Sequence, residues 1–215
     1  MLSETDQTII ADFQDLYLRA IPNNALVLRQ TRWMNVPCFK LPSDLWIYQE
    51  IIHEVKPDLI IETGTFLGGS TLFMAHMLDI IGKGQIISID IQKLPRPSHP
   101  RIQYVTGSSS DAGFIQEILA DDRSEKRMVI LDSDHHKLHV LQEMNLLSNY
   151  VTLGSYLIVE DTNMGQYPSH SDFGAGPDEA VTEFLETNAE FVQDYSREKF
   201  LMSFNKNGYL KRIGL

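Results

Sequence analysis

The sequence predicts a three-layer, doubly wound α/β fold, with a mostly parallel sheet closed by a C-terminal antiparallel hairpin. Three observations lead there. Short apolar runs rich in β-branched residues recur at Leu59–Ile61, Ile86–Ile91, Ile102–Thr106, Met128–Leu131 and Tyr156–Val159, separated by turns and helix-period stretches, the rhythm of βαβ units. Several of these runs are uninterrupted, the mark of strands buried on both faces, which need helices on both sides. At the end of the chain Phe200–Phe204 and Tyr209–Ile213 flank Asn205-Lys206-Asn207-Gly208, a hairpin signal. The 215 residues, 43% hydrophobic and 22% charged, suffice for one substantial core.

Taken in order, Ser3 to about Ala20 begins with Ser3 and Asp6 at capping spacing and places Ile9, Phe13, Leu16, Tyr17 and Ala20 on one helical face. From Asn23 to Ser43, Pro37 and Pro42 interrupt an apolar stretch containing Trp33, Met34, Phe39 and Leu41. It is too apolar for a solvated linker and is expected over the core, near a ligand, or against another subunit. Ser43 reads as the cap of a helix through Val55 that Pro57 ends. Residues 1–55 are thus expected to form a helical, lid-like segment packed on a core of 56–215, the two making one structural unit.

The stretch Lys56 to Ser70, KPDLIIETGTFLGGS, organises the rest. A strand ends at Glu62, and Gly64, Gly68 and Gly69 allow a sharp turn and close approach of a ligand. Ser70 and Thr71 are expected to cap the helix that runs to Gly82. A helix N-terminus beside such a turn suits a carboxylate or phosphate. A dinucleotide fingerprint is absent, because Phe66 stands where its second glycine belongs. The pattern E-x-G-x-x-x-G-x-S instead resembles the first motif of class I S-adenosylmethionine-dependent methyltransferases. That resemblance implies that the turn, with Gly64, Thr65 and Ser70, meets the methionine moiety and that Glu62 meets its amino group.

Asp90 ends the second strand at the distance from Gly64 where nucleotide-binding α/β folds place a carboxylate on ribose hydroxyls; a surface acid is the plainer reading. Gly107-Ser108-Ser109-Ser110-Asp111 is a polar turn that caps the helix around Phe114 to Leu119, and the same resemblance brings Ser109 and Ser110 to the adenine. Two further strands end in Asp132-Ser133-Asp134-His135-His136 and Glu160-Asp161-Thr162-Asn163. Carboxyl ends of parallel strands share one edge, so these acids converge on the same crevice. Carboxylates gathered there repel one another, which either raises a pKa or, as the simpler resolution, binds a cation. Oxygen ligands favour Mg²⁺, with Ca²⁺ and Mn²⁺ as further candidates, and the proposed ligands are Asp132, Glu160 and Asp161. His135 and His139 stand at zinc-binding spacing, but no third nitrogen or sulfur ligand is evident. His135 is either a general base beside the metal or simply a residue at a helix start.

A narrower resemblance rests on Trp33, Pro37, Lys40, Pro42 and Asp44-Leu45-Trp46-x-Tyr48-Gln49-Glu50, followed by the Glu62 turn, LDSDH and VED. From about Arg32 onward the chain resembles the cephalosporin hydroxylase and rhamnosyl O-methyltransferase family, which has a methyltransferase fold. The resemblance implies Asp132, Glu160 and Asp161 as metal ligands and His135 as the base. It also implies catalysis of methyl transfer from S-adenosylmethionine to a hydroxyl of a sugar, natural product or antibiotic-like molecule. Thr162 to Pro177 reads as a mobile lid or a substrate loop, with Tyr167, His170 and Phe173 either lining an acceptor pocket or anchoring the loop, before a helix begins at Pro177.

The net charge of −11, spread without a basic block, argues against nucleic acid and anionic membranes as partners. No apolar run reaches the roughly 20 residues of a membrane span, and the N-terminus lacks signal-peptide regions. With one cysteine, Cys38, the expectation is a cytoplasmic protein, and the apolar N-terminal stretch points to a homo-oligomer. A nucleotide-dependent oxidoreductase, a non-catalytic S-adenosylmethionine-binding partner and a zinc hydrolase stand as alternatives.

Overall fold

The computed structural model describes residues 3–19, 27–164 and 172–214; Tyr167 and His170 lie outside them. Helix α1 (Glu4–Arg19) is capped as expected, with the Asp6 amide donating to Ser3 Oγ at 3.2 Å and the Ser3 hydroxyl donating to Asp6 Oδ2 at 2.6 Å. Its packing face differs from the apolar stripe. Ile9, Phe13 and Leu16 are exposed, while the buried Gln14 donates to the Ser203 carbonyl at 3.4 Å and Tyr17 meets Phe204 edge-on at 6.2 Å. The helix rests on a loop, which offers it a backbone acceptor and one ring.

A short helix α2 (Val27–Gln30) leads into a small antiparallel pair, β1 (Arg32–Trp33) and β2 (Val36–Pro37), and then α3 (Pro42–Val55). Pro42 occupies the first turn of α3, where its missing N–H costs nothing. Ser43 is not the cap; its hydroxyl donates to the Met202 carbonyl at 2.8 Å. Next come β3 (Leu59–Thr63), α4 (Gly69–Ile81), β4 (Gln85–Asp90), β5 (Ile102–Thr106), α5 (Ala112–Ile118), β6 (Arg127–Leu131), α6 (Lys137–Leu147), β7 (Tyr156–Val159), α7 (Pro177–Thr187), β8 (Phe191–Gln193) and β9 (Tyr209–Arg212).

The large sheet has the order β5-β4-β3-β6-β7-β9-β8. Strands β3 to β7 pair in parallel, whereas β9 runs antiparallel to both β7 and β8. Alternation sends Leu59, Ile61, Val129, Leu131, Leu157 and Val159 into one apolar layer with α6 and α7. Ile60, Met128, Ile130, Tyr156 and Ile158 go into the other, with α3 and α4. The three layers follow from this period of two.

The closing hairpin uses Phe191–Gln193 rather than Phe200–Phe204. The latter stretch forms no ladder because buried Asp44 of α3 draws it aside. Ser203 Oγ donates to Asp44 Oδ1 at 2.7 Å and the Phe204 amide to Asp44 Oδ2 at 3.0 Å. Among the described residues no helix is long and apolar enough to cross a membrane.

Candidate active site

Strand β3 sits between β4 and β6, so the helices after these strands depart to opposite sides and leave a crevice at their carboxyl ends. A cavity of about 1030 Å³ opens there. Gly64 makes it possible: at φ 80°, a Cβ on this residue would stand 1.7 Å from the Asp132 carbonyl oxygen, so only glycine lets the ends of β3 and β6 approach. Gly69 does the same on the other side, where an added Cβ would stand 2.1 Å from the Pro37 carbonyl oxygen. The segment after β2 therefore lies against the start of α4, and Cys38, Phe39 and Lys40 join the wall. The proline-interrupted stretch thus lies over the core, on the wall of this cavity.

Thr65, Ser70, Asp90, Ser109, Ser110, Asp132, His135 and Asp161 also line the cavity with Gly64. Glu62 does not. It is fully buried and accepts from the hydroxyls of Ser70 (2.9 Å), Thr71 (2.5 Å) and Ser88 (2.5 Å). Burial raises its pKa and those three donors pull it back down. Ser70 and Thr71 are correspondingly not helix caps; Gly68 precedes the helix, and both hydroxyls turn to Glu62. Thr65 turns its hydroxyl to Ser88 Oγ at 2.6 Å. Asp90 holds the turn from the far side, accepting from the Phe66 amide at 2.7 Å and the Gln92 amide at 2.8 Å, with Arg96 at 3.0 Å. Asp111 caps α5 through the amides of Gly113 and Phe114, which leaves Ser109 and Ser110 uncommitted to capping.

Asp132 and Glu160, at the ends of β6 and β7, are bridged by the ammonium of buried Lys40. Tyr48 OH donates to the other Glu160 oxygen at 2.5 Å. Glu160 is thus tied on both oxygens and is not part of the cavity wall. Burial first, then the neighbouring Asp161 charge, pushes Asp132 up to about 7 against the pull of Lys40. For Glu160, burial and the Asp132 charge push it to about 8. For Lys40 burial works the other way, but the two carboxylates prevail and hold its pKa well above the ordinary value. One ammonium does not neutralise the cluster.

Asp161 takes a left-handed conformation, φ 53°, with its amide donating to Asn205 Oδ1 at 3.2 Å. This aims its carboxylate at His135, whose Nε2 lies 3.4 Å from Asp161 Oδ2. His135 precedes α6, which begins at Lys137. Ligand atoms of Asp132, His135 and Asp161 lie within 4.8 Å of one another. The two carboxylates, in a pocket whose acids outnumber its one ammonium, fit a hard divalent cation, with the imidazole beside them. His139 does not join them: its Nε2 lies 3.1 Å from Ser133 Oγ and 3.5 Å from Glu143 Oε1, so the zinc spacing is spent on an internal carboxylate.

Lys40 entered the sequence reading only as part of a resemblance, and Tyr48 as that and as an apolar-face residue of the helix ending at Val55; neither had a role at the site. Nothing in periodicity marks a lysine as buried, and a tyrosine on the apolar face of α3 reads as core. Ser133 and Asn163, also on the cavity wall, carried no signal beyond their place after strand-end acids.

A sequence model of the rhamnosyl O-methyltransferase/CmcI family matches residues 25–213. The chain belongs to that family. As a rhamnosyl O-methyltransferase/CmcI family member, it is 39% identical over 194 residues to the rhamnosyl O-methyltransferase of Mycobacterium leprae, covering 86% of this chain and 85% of that one. It is 37% identical over 199 residues to the rhamnosyl O-methyltransferase of Mycobacterium tuberculosis, covering 87% and 80%. A CmcI structure described with magnesium and S-adenosylmethionine has the same fold, with a TM-score of 0.67 at 20% identity over 93% of this chain and 84% of that one. These relatives make the chain an S-adenosylmethionine-dependent O-methyltransferase.

Proposed function

We propose that the chain methylates a hydroxyl of a deoxyhexose-bearing small molecule, with His135 as base and a divalent cation beside it. The observation that carries this reading is the gathering of Asp132, His135 and Asp161 in one cavity with Asp90 and the Ser108–Ser110 turn. The sugar is taken from what the relatives are named for and the methyl donor from the family; the cavity's two carboxylates and imidazole support the cation and the base.

S-adenosylmethionine, when bound, supplies a methyl carbon on a sulfonium. Transfer would exchange that carbon–sulfur bond for a bond to the acceptor oxygen, and the hydroxyl proton would go to His135 Nδ1, the ring nitrogen that Asp161 does not face. Asp161 orients that imidazole and stabilises its protonated form, which is how a carboxylate–histidine pair assists a base. Asp90 and the Ser109 and Ser110 hydroxyls offer acceptors and donors for ribose and adenine. The start of α4, at Gly69 and Ser70, offers amides for the methionine carboxylate. Asp132 and Asp161 would hold the cation, with Glu160 joining where Lys40 releases it; the cation would lower the acceptor hydroxyl's pKa. The remaining cavity, about 1030 Å³ in all, leaves room for an acceptor beside the methyl donor, since drug-sized ligand pockets run from roughly 300 to 1,000 Å³.

Calorimetric titration with S-adenosylmethionine and its demethylated product, with and without Mg²⁺, tests the reading. Both bind, and Asp132→Ala removes the effect of the metal and abolishes transfer to a rhamnoside while retaining donor binding. Absence of donor binding, or unchanged turnover in Asp132→Ala, would overturn it.

A further inference from the structure

The carboxylate cluster contains its own cation. Lys40 follows β2, on the segment that Gly69 admits against α4. Its side chain is 9% exposed and reaches both Asp132 and Glu160, from β6 and β7. Among the described residues no other ammonium or guanidinium forms an ion pair with these two acids. A buried lysine carries a large desolvation cost, tolerated only where its charge is needed. Three carboxyl groups, Asp132, Glu160 and Asp161, face this one ammonium, which does not balance them.

We propose that Lys40 is the resident counter-cation of the site: its ammonium stands in for the metal in the free protein and limits how tightly the metal binds. The inference rests on the metal reading above and adds to it an exchange. In the free protein Lys40 and Tyr48 hold Glu160 away from the cavity. Divalent ion and ammonium compete for Asp132 and Glu160, so the metal is held loosely enough to follow the substrates. Lys40 is a positioning residue in this account; it acts through the two carboxylates.

The test measures Mn²⁺ affinity by calorimetry and melting temperature in chelator and in excess Mn²⁺, for the wild type, Lys40→Met and Lys40→Arg. Loss of the charge is expected to tighten Mn²⁺ binding by roughly tenfold or more. It also lowers the melting temperature in chelator by about 6 °C or more, because two buried carboxylates lose their partner, and Mn²⁺ restores it. Lys40→Arg keeps the charge and stays close to the wild type in both. The double variant Lys40→Met/Glu160→Gln returns the site to its original net charge, so it recovers the melting temperature in chelator even where Lys40→Met alone does not fold. Equal Mn²⁺ affinity in wild type and Lys40→Met, or a double variant no more stable than the single one, overturns the proposal. If Mn²⁺ binds neither protein, the metal reading itself fails, a result distinct from equal binding to both.

Discussion

Replacing Glu62 distinguishes a carboxylate that touches the methyl donor from one that shapes the turn around it. In the structure Oε1 accepts from Ser70, and Oε2 accepts from Thr71 and Ser88. In Glu62→Gln the amide oxygen keeps the two-hydroxyl side, and its NH₂ faces Ser70 Oγ, whose hydroxyl rotates to accept. Two bonds lose their charge assistance, about 1 kcal/mol each, while the desolvation that raises the Glu62 pKa is relieved. The net change is expected to stay within about 2 kcal/mol. Glu62→Ala leaves Ser70 and Thr71 without an acceptor, and Ser88 with only its bond to Thr65, at about 1 to 3 kcal/mol for each stranded group. A destabilisation of about 3 kcal/mol or more is expected. Urea unfolding reads the stability, and calorimetric titration with S-adenosylhomocysteine reads the site. For Glu62→Gln, affinity is expected to remain within threefold of the wild type. A folded Glu62→Gln protein that binds the ligand more than a hundredfold more weakly would refute the reasoning, because the carboxylate would then be meeting the ligand's ammonium directly.

Two further predictions concern the frame of the site. Asp44 has its pKa pushed up to about 6, by burial, against the bonds from Ser203, Phe204 and Tyr209. An acid raised in the folded state takes its proton there first, so stability from this group is gained as pH falls through 6 and towards 4, and is absent at pH 7. Relative to Asp44→Asn, the wild type should gain about 1 kcal/mol between pH 7 and pH 5; parallel urea-midpoint curves for the two would rule this out. Gly64→Ala forces a Cβ to 1.7 Å from the Asp132 carbonyl oxygen at φ 80°. It should cost about 3 kcal/mol or more, and a wild-type urea midpoint with intact donor binding would contradict the close approach of β3 and β6.

The parts legible in the sequence were those governed by period and by strand ends. Uninterrupted runs such as Tyr156–Val159 announced buried parallel strands, and the topology then carried Asp90, Asp132 and Asp161 to one edge whatever the side-chain details. What sequence could not decide was which polar group faces which. Glu62 and Asp90 both end strands beside the same glycine turn, yet one is sealed behind three hydroxyls and the other lines the cavity. The difference lies in Ser88, one strand away in space and 26 residues away in sequence. Phe200–Phe204 differs from expectation for the same reason: its apolar character is real, but Asp44, more than 150 residues earlier, takes its backbone N–H and hydroxyl. Local pattern sees propensity, and these outcomes are long-range hydrogen bonds.

The division at residue 55 follows the strands but not the chemistry. The parallel sheet and its acids lie in 56–215, whereas Lys40, Asp44 and Tyr48 lie before it and each fixes a part of the site: Lys40 bridges Asp132 and Glu160, Tyr48 holds Glu160, and Asp44 anchors Ser203 and the cavity residue Phe204. Each of these side chains is buried, so each contributes to stability and to the site by the same contact. The 56–215 sheet by itself would present Asp132, Glu160 and Asp161 to one another with no internal cation. Carboxylates so placed protonate or bind a metal indiscriminately. The N-terminal segment is therefore as much a part of the candidate active site as the glycine turn, and two of its prolines, Pro37 and Pro42, bracket the stretch that delivers the lysine.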